Sequence, residues 1–169
     1  EARAVFAAVD DALDQKLSQL MWDGPESELT LTENAQPALM VVSMAVVTVL
    51  AENGVRLSEN VSYVAGHSLG EYSALTASGA LELEDAARLL KLRGQAMQRA
   101  VPVGVGAMAA LLGLDFEAVV EVAEKAGQGE EICAAANDNA VGQVVVSGHA
   151  AAVARAIDLA KERGAKRAM

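Results

Sequence analysis

Ser68 lies at the centre of the pentapeptide Gly66-His67-Ser68-Leu69-Gly70. Gly-x-Ser-x-Gly is the spacing of a nucleophile elbow, a tight strand-to-helix turn that lifts a serine hydroxyl clear of the backbone. The run Val61-Ser62-Tyr63-Val64-Ala65 before it is β-prone, and the run after it reads as a helix that stops at Gly79. Glycine at 66 and 70 leaves room for a sharp turn with no Cβ in the way. The turn puts Ser68 at a helix N-terminus, where free N–H groups and the positive dipole end favour a developing oxyanion. The chemistry this pattern suits is attack of a hydroxyl on an acyl carbon. A glycine-rich βα loop is the plain alternative, and the strand-like and helix-like flanks weigh against it.

A serine is inert without a base within hydrogen-bond reach. The chain holds two histidines, His67 and His149. His67 is adjacent in sequence, and in a tight turn its side chain points away from that of Ser68. His149, in Ser147-Gly148-His149 ahead of a helix, reads as a loop or capping residue rather than a base. These residues therefore offer a nucleophile without a convincing partner.

Arg93 is the second candidate. Stepping residues 83–100 at about 100° per residue puts Ala86, Leu90 and Met97 on one face, with Leu89 at its edge and Arg93 in the middle. Arg88, Lys91, Gln95, Gln98 and Arg99 share the opposite, wet face. A cation on an apolar face is costly unless paired. It is either a structural ion pair or snorkelling arginine, or a guanidinium fork waiting for a substrate carboxylate. Spacing alone leaves both readings open. Gly94 beside it weakens the helix and so marks a close approach of backbone or ligand. Met97 reads as core, Gln36 as a cap or a pocket residue, Asn137 and Asn139 as turn residues, and Glu71 as a partner of the helix dipole. There is no Cys/His cluster at metal spacing, no phosphate-binding glycine loop and no basic–aromatic stripe, so metal, nucleotide and nucleic-acid readings lack support.

The elements that must carry these residues can be read in order. Residues 2–20 form an amphipathic helix, broken at Trp22-Asp23-Gly24-Pro25. Residues 26–32 are a loop or a short extended piece. Asn34 caps a helix with Pro37 in its first turn, and residues 38–52 continue it, apolar nearly all round and so buried on most sides, to Asn53-Gly54. Residues 61–65 are a strand, 70–78 a helix, and 83–100 a helix ending before Pro102. Then follow strand 107–114, helix 116–125, strand 132–136, a turn at Asn137-Asp138-Asn139, strand 141–147, helix 150–163 closed by Gly164, and the beginning of a last strand. The order β-α-β-β-α-β is ferredoxin-like. The fold class is thus α/β. Residues 1–103 form part of an α/β core and 104–169 a small α+β subdomain.

The bulk numbers fit this outline. The chain has 169 residues, 53% hydrophobic but only 3% aromatic, so its core must be built from Ala, Val, Leu and Met. A net charge of −10 argues against a general nucleic-acid or membrane-surface binder. Residues 155–169 run the other way, with five cations and two acids. The single Cys133 cannot form an internal disulfide, which suits a reducing compartment, and it reads as a small buried hydrophobe. No secretory signal is visible, and the apolar run 37–51 is short and interrupted for a membrane span. The chain opens on Glu1 directly in a helical pattern and closes where a strand begins, so a piece of a longer protein is expected.

Three stretches taken together carry a resemblance. Residues 66–75, Arg93-Gly94-Gln95-Ala96-Met97 and Gly142-Gln143-Val144-Val145-Val146-Ser147-Gly148 closely resemble the malonyl-CoA:acyl carrier protein transacylases of bacterial fatty acid synthesis, and Gln36-Pro37-Ala38-Leu39 and Gly106-Ala107-Met108-Ala109-Ala110 look like that family too. The resemblance implies an α/β-hydrolase-like core with an inserted ferredoxin-like subdomain, both incomplete here. It implies Ser68 as the nucleophile that accepts malonyl as an ester, and the Leu69 N–H as one oxyanion donor. Arg93 would bind the malonyl carboxylate, and Gln36 and Met97 would line the pocket. It implies a cytoplasmic enzyme with no cofactor, with malonyl-CoA as substrate and acyl carrier protein as partner. The family's Gly-Gln-Gly-Ser-Gln loop, its catalytic histidine and a further glutamine have no counterpart in these residues, so the chain alone is expected to be inactive. A serine hydrolase and an acyltransferase for another carboxyacyl-CoA are the alternatives.

Overall fold

The computed structural model describes residues Glu1–Met169, which form two compact units, Glu1–Ala100 and Val101–Met169. The first is helical. Its elements are α1 (Ala2–Leu13), α2 (Leu17–Asp23), α3 (Glu26–Leu29), α4 (Thr32–Glu52), α5 (Leu57–Asn60), α6 (Gly70–Ala77) and α7 (Leu83–Ala100). Helices α1, α4 and α7 pack together around Val9, Leu17, Met40, Val41, Ala86, Ala87 and Leu90. Each large aliphatic side chain buried there contributes about 1.5–3 kcal/mol.

Five expectations for this unit are corrected. The first helix stops at Leu13, because Asp14 takes a left-handed conformation (φ 47°) and the buried Asp10 carboxylate accepts hydrogen bonds from Ser18 N and Oγ, which starts a new helix at a new angle. Residues 26–29 form one helical turn rather than an extended piece. Helix α4 begins at Thr32, and Asn34 does not cap it: the Asn34 amide is buried and bonded to Gln15, Lys91 and the Glu28 carbonyl. Nor is α4 buried on most sides. Its Ala38, Met40, Val41 and Ala45 are covered, but Leu39, Val42, Val46, Val49 and Leu50 are exposed. At 21 residues α4 is long and apolar enough to cross a membrane by length and composition.

Residues 61–65, expected as a strand, are extended at Val61 but join no sheet. A strand exists only where a neighbour pairs its N–H and C=O groups. No backbone hydrogen bond joins Ser62–Ala65 to another segment of the chain. The helix that follows is present, and residues 83–100 form α7 with the bounds the pattern gave.

The second unit contains β1 (Gly106–Leu112), α8 (Phe116–Ala126), β2 (Cys133–Ala140), β3 (Gln143–His149), α9 (Ala150–Glu162) and β4 (Arg167–Ala168). Its sheet has the order β2-β3-β1-β4, and every pair is antiparallel. Alternate residues Ala109, Leu111, Val144 and Val146 are buried in one core with Val119, Val122 and Ala123 of α8 and Ala152, Val153 and Ala156 of α9. The Asp115 side chain caps α8 by accepting from Ala118 N at 2.8 Å. Asn137, Asp138 and Asn139, expected to turn, lie within β2. Two register shifts absorb them, and the chain turns instead at Val141-Gly142, where Gly142 has φ 73°. Cys133 is buried, and burial pushes its thiol pKa up against the opposing pull of Arg155.

Gly94 faces the start of α4. A Cβ there would lie 2.4 Å from Glu33 Cα and 2.7 Å from Thr32 O, both backbone atoms that cannot swing aside. Gly94→Ala should therefore lower stability by about 1–3 kcal/mol, despite the better helix propensity of alanine. A urea denaturation midpoint equal to that of the parent would contradict the close approach.

Candidate active site

The segment between Ala65 and α6 makes the sharp turn that the pentapeptide requires. Ser68 takes φ 55°, a left-handed conformation rarely adopted by a residue with a side chain. Only Gly66 of the two glycines is sterically demanded. A Cβ on Gly66 would sit 1.9 Å from the carbonyl carbon and oxygen of Gly70, whereas a Cβ on Gly70 would meet nothing within 4 Å. The turn is closed by the Gly70 N–H donating to His67 O at 2.9 Å and the Glu71 N–H donating to Ser68 O at 3.2 Å. The Leu69 N–H donates to no backbone or side-chain acceptor, as expected just before the first turn of a helix.

Arg93 reaches this turn from α7. Its Nη2 donates to Ser68 Oγ at 2.9 Å and its Nη1 to Gln36 Oε1 at 2.5 Å. Its guanidinium carbon also lies 5.9 Å from the centroid of the Tyr72 ring, within cation–π range. Gln36 is 3% exposed, and its Nε2 donates to Thr32 Oγ1 at 2.8 Å and to Met97 Sδ at 3.3 Å. Ser68, Arg93, Gln36 and Met97, singled out separately along the sequence, thus meet in one chain of hydrogen bonds.

Helix α7 buries a different stripe from the one its spacing gave. The buried stripe of α7 is Ala86, Ala87, Leu90 and Gly94, so Arg93 lies at the margin of the core rather than in the middle of an apolar face. Met97 is about half exposed and is not a core residue. The wet face also contains an exception. Lys91 is half-buried, donating to Asn34 Oδ1 at 2.8 Å and Gln15 Oε1 at 3.0 Å, with Glu33 Oε2 at 3.4 Å. No carboxylate is paired with Arg93, which leaves its positive charge uncompensated beside the serine.

Neither histidine serves Ser68 here. His67 is exposed and no hydrogen bond joins it to Ser68. His149 ends β3, and its Nδ1 accepts the Ile132 N–H at 3.0 Å, a structural bond that ties β2 to β3. Sequence reasoning missed Tyr72 and Thr32. Tyr72 lies four residues after Ser68 and Thr32 four residues before Gln36, so helical spacing carried a signal for both.

The acyl transferase domain family matches residues 1–169. The malonyl CoA-acyl carrier protein transacylase of Bacillus subtilis (strain 168) is 48% identical over 99% of this chain and 52% of its own length. Among solved structures, the acyl-carrier-protein-S-malonyltransferase of Bartonella henselae is 56% identical with a TM-score of 0.91, covering 99% of this chain and 53% of its own. A malonyl-transacylase in complex with its type II PKS acyl-carrier protein is 44% identical with a TM-score of 0.89, covering 99% of this chain and 53% of its own. The chain spans about half the length of the curated relatives it matches.

The turn makes a paired prediction. Gly66→Ala should destabilise the helical unit by about 3 kcal/mol or more, because backbone blocks the new methyl. Gly70→Ala should be neutral or stabilise by up to about 1 kcal/mol, since alanine suits a helix start and meets nothing. Equal urea midpoints for the two variants would show that the turn does not have this geometry.

Proposed function

Because the chain belongs to the acyl transferase family, we propose that it carries the nucleophile half of an enzyme that moves malonyl from coenzyme A to the phosphopantetheine thiol of acyl carrier protein, in fatty acid biosynthesis. The observation that carries this reading is the single guanidinium shared between Ser68 Oγ and Gln36 Oε1. A hydroxyl nucleophile needs no cation to attack a neutral ester. A free carboxylate on the acyl group does need one, and arginine is suited to receive it by two parallel N–H···O bonds. This favours a carboxyacyl transferase over a serine hydrolase, and the names of the relatives narrow carboxyacyl to malonyl.

In the proposed reaction Ser68 Oγ attacks the thioester carbonyl carbon as a base takes its proton. The Leu69 N–H stabilises the oxyanion, the C–S bond breaks, and coenzyme A leaves as its thiol. The carrier thiol then attacks the Ser68 ester, the C–O bond breaks, and the serine recovers its proton. The family resemblance assigns the base to a histidine outside these residues; neither His67 nor His149 is bonded to Ser68. Arg93 holds the malonyl carboxylate throughout, with Gln36 and Met97 beside it. No cofactor takes part; the coenzyme A thioester is substrate.

Residues 1–103 are part of an α/β-hydrolase-like core, supported by the left-handed serine between an extended segment and a helix. Residues 104–169 are a ferredoxin-like subdomain, supported by the all-antiparallel order β2-β3-β1-β4 and the two helices α8 and α9 sharing one core with the sheet. The setting is cytoplasmic, in keeping with the unpaired, buried Cys133. Acyl carrier protein is the partner, as in the solved complex of the related transacylase. Within the basic segment 155–169, Arg155, Lys161 and Arg163 are already paired with Glu131, Asp158 and Glu121, which leaves Lys166 and Arg167 as its unpaired cations.

Two substitutions in the intact enzyme test the proposal. Ser68→Ala should abolish formation of the malonyl ester, read by intact-protein mass after incubation with malonyl-CoA; a retained malonyl adduct would refute the nucleophile. Arg93→Ala should lower kcat/KM for malonyl by about a hundredfold or more relative to acetyl, the scale of a lost charge-assisted pair. Equal losses for the two acyl groups would make Arg93 a structural residue.

A further inference from the structure

Gln36 presents its amide to two neighbours of opposite demand. Arg93 can only donate, so the atom facing it has to be the carbonyl Oε1. The amide NH2 is then turned the other way, where it needs an acceptor because Gln36 is buried. Two acceptors are present: Thr32 Oγ1 at 2.8 Å and Met97 Sδ at 3.3 Å. A thioether is a weak acceptor, and Met97 is half exposed and flexible. Arg93 thus sets which way the amide points, and the hydroxyl of Thr32 is the stronger acceptor that anchors its far end.

The hydroxyl is itself firmly mounted. The backbone of Thr32 and Glu33 lies against Gly94, the residue next to Arg93. Lys91, one turn before Gly94, ties down the same stretch of α4 through Asn34 and Glu33. Thr32, Gln36 and Arg93 thus form a short relay set on a rigid crossing of α4 and α7.

We propose that Thr32 is a positioning residue for acyl-group selection: its hydroxyl anchors the far end of the Gln36 amide, whose carbonyl holds the Arg93 guanidinium ready for a substrate carboxylate. The proposal rests on the reading of Arg93 given above. Without the hydroxyl, the amide NH2 keeps only the weak Met97 sulfur as acceptor, so the Gln36 side chain is held less firmly and the guanidinium loses its fixed position.

The test compares Thr32→Val, Thr32→Ala and Thr32→Ser in the intact enzyme, with Arg93→Ala alongside. The valine and alanine variants should lower the ratio of kcat/KM for malonyl-CoA over acetyl-CoA about tenfold, through a raised KM for malonyl-CoA, the scale of one lost hydrogen bond to a charged network. The serine variant, which keeps the hydroxyl, should retain the ratio. Far-UV circular dichroism and a urea midpoint report folding; if the valine variant fails to fold, the alanine–serine pair decides. A ratio unchanged in the alanine variant, or one that falls as far in the serine variant, overturns the role of Thr32. If that happens while Arg93→Ala collapses the ratio, Thr32 alone is wrong. If Arg93→Ala leaves the ratio intact, the carboxylate reading falls and takes this proposal with it.

Discussion

The backbone of Thr32 and Glu33 rests directly on Gly94, and most of the candidate site depends on that contact. With no Cβ at position 94, α4 and α7 approach closely enough for Gln36 on one helix to reach Arg93 on the other. Any side chain at 94 would push the helices apart by more than a hydrogen bond tolerates. The cost is a glycine inside an 18-residue helix, worth roughly 1 kcal/mol of propensity. The buried stripe Ala86-Ala87-Leu90 offsets it by packing the same crossing.

The second constraint is local to the serine. A left-handed residue with a side chain stores on the order of 1–3 kcal/mol of strain, and the turn keeps it because Gly66 lets the backbone at Gly70 pass where a Cβ would be. The strain has a geometric consequence. It turns Ser68 Oγ outward into the reach of Arg93, so that one guanidinium contacts both the proposed nucleophile and a buried amide. Tyr72, on the first turn of α6, adds a ring near the same cation. The proposed carboxylate anchor and the proposed nucleophile are thereby held within the span of one side chain.

Much of this was legible in the sequence where local chemistry decides. The pentapeptide spacing identified the turn, and the pattern over residues 83–100 placed α7. The order of elements after Val101 was read correctly because α8 and α9 carry strong helical periodicity and β1 and β3 are short apolar runs. Misreadings fell where partners decide. Asn34 has the composition of a cap, but Lys91 and Gln15 draw its amide inward. Asn137 and Asn139 have the composition of a turn, but β3 pairs the backbone beside them. Residues 61–65 have the composition of a strand, and no pairing neighbour lies alongside them in this chain.

The sequence by itself determined the identity of the candidate reactive groups. A serine between two glycines, an arginine beside a glycine and a glutamine before a proline are chemical facts that need no fold. It also determined that neither histidine was a convincing base, since one is adjacent to the serine and the other precedes a helix. The tertiary structure alone decided that these groups meet. Gln36 and Arg93 are 57 residues apart, and Ser68 and Arg93 are 25 apart. Periodicity reports which face of a helix is apolar, but not which residue of another helix that face will touch. That depends on the crossing of α4 and α7, which in turn depends on how closely two backbones can pack. The roles of Thr32 and Lys91 stayed hidden for the same reason. Each looks like an ordinary surface residue until the crossing supplies its partners.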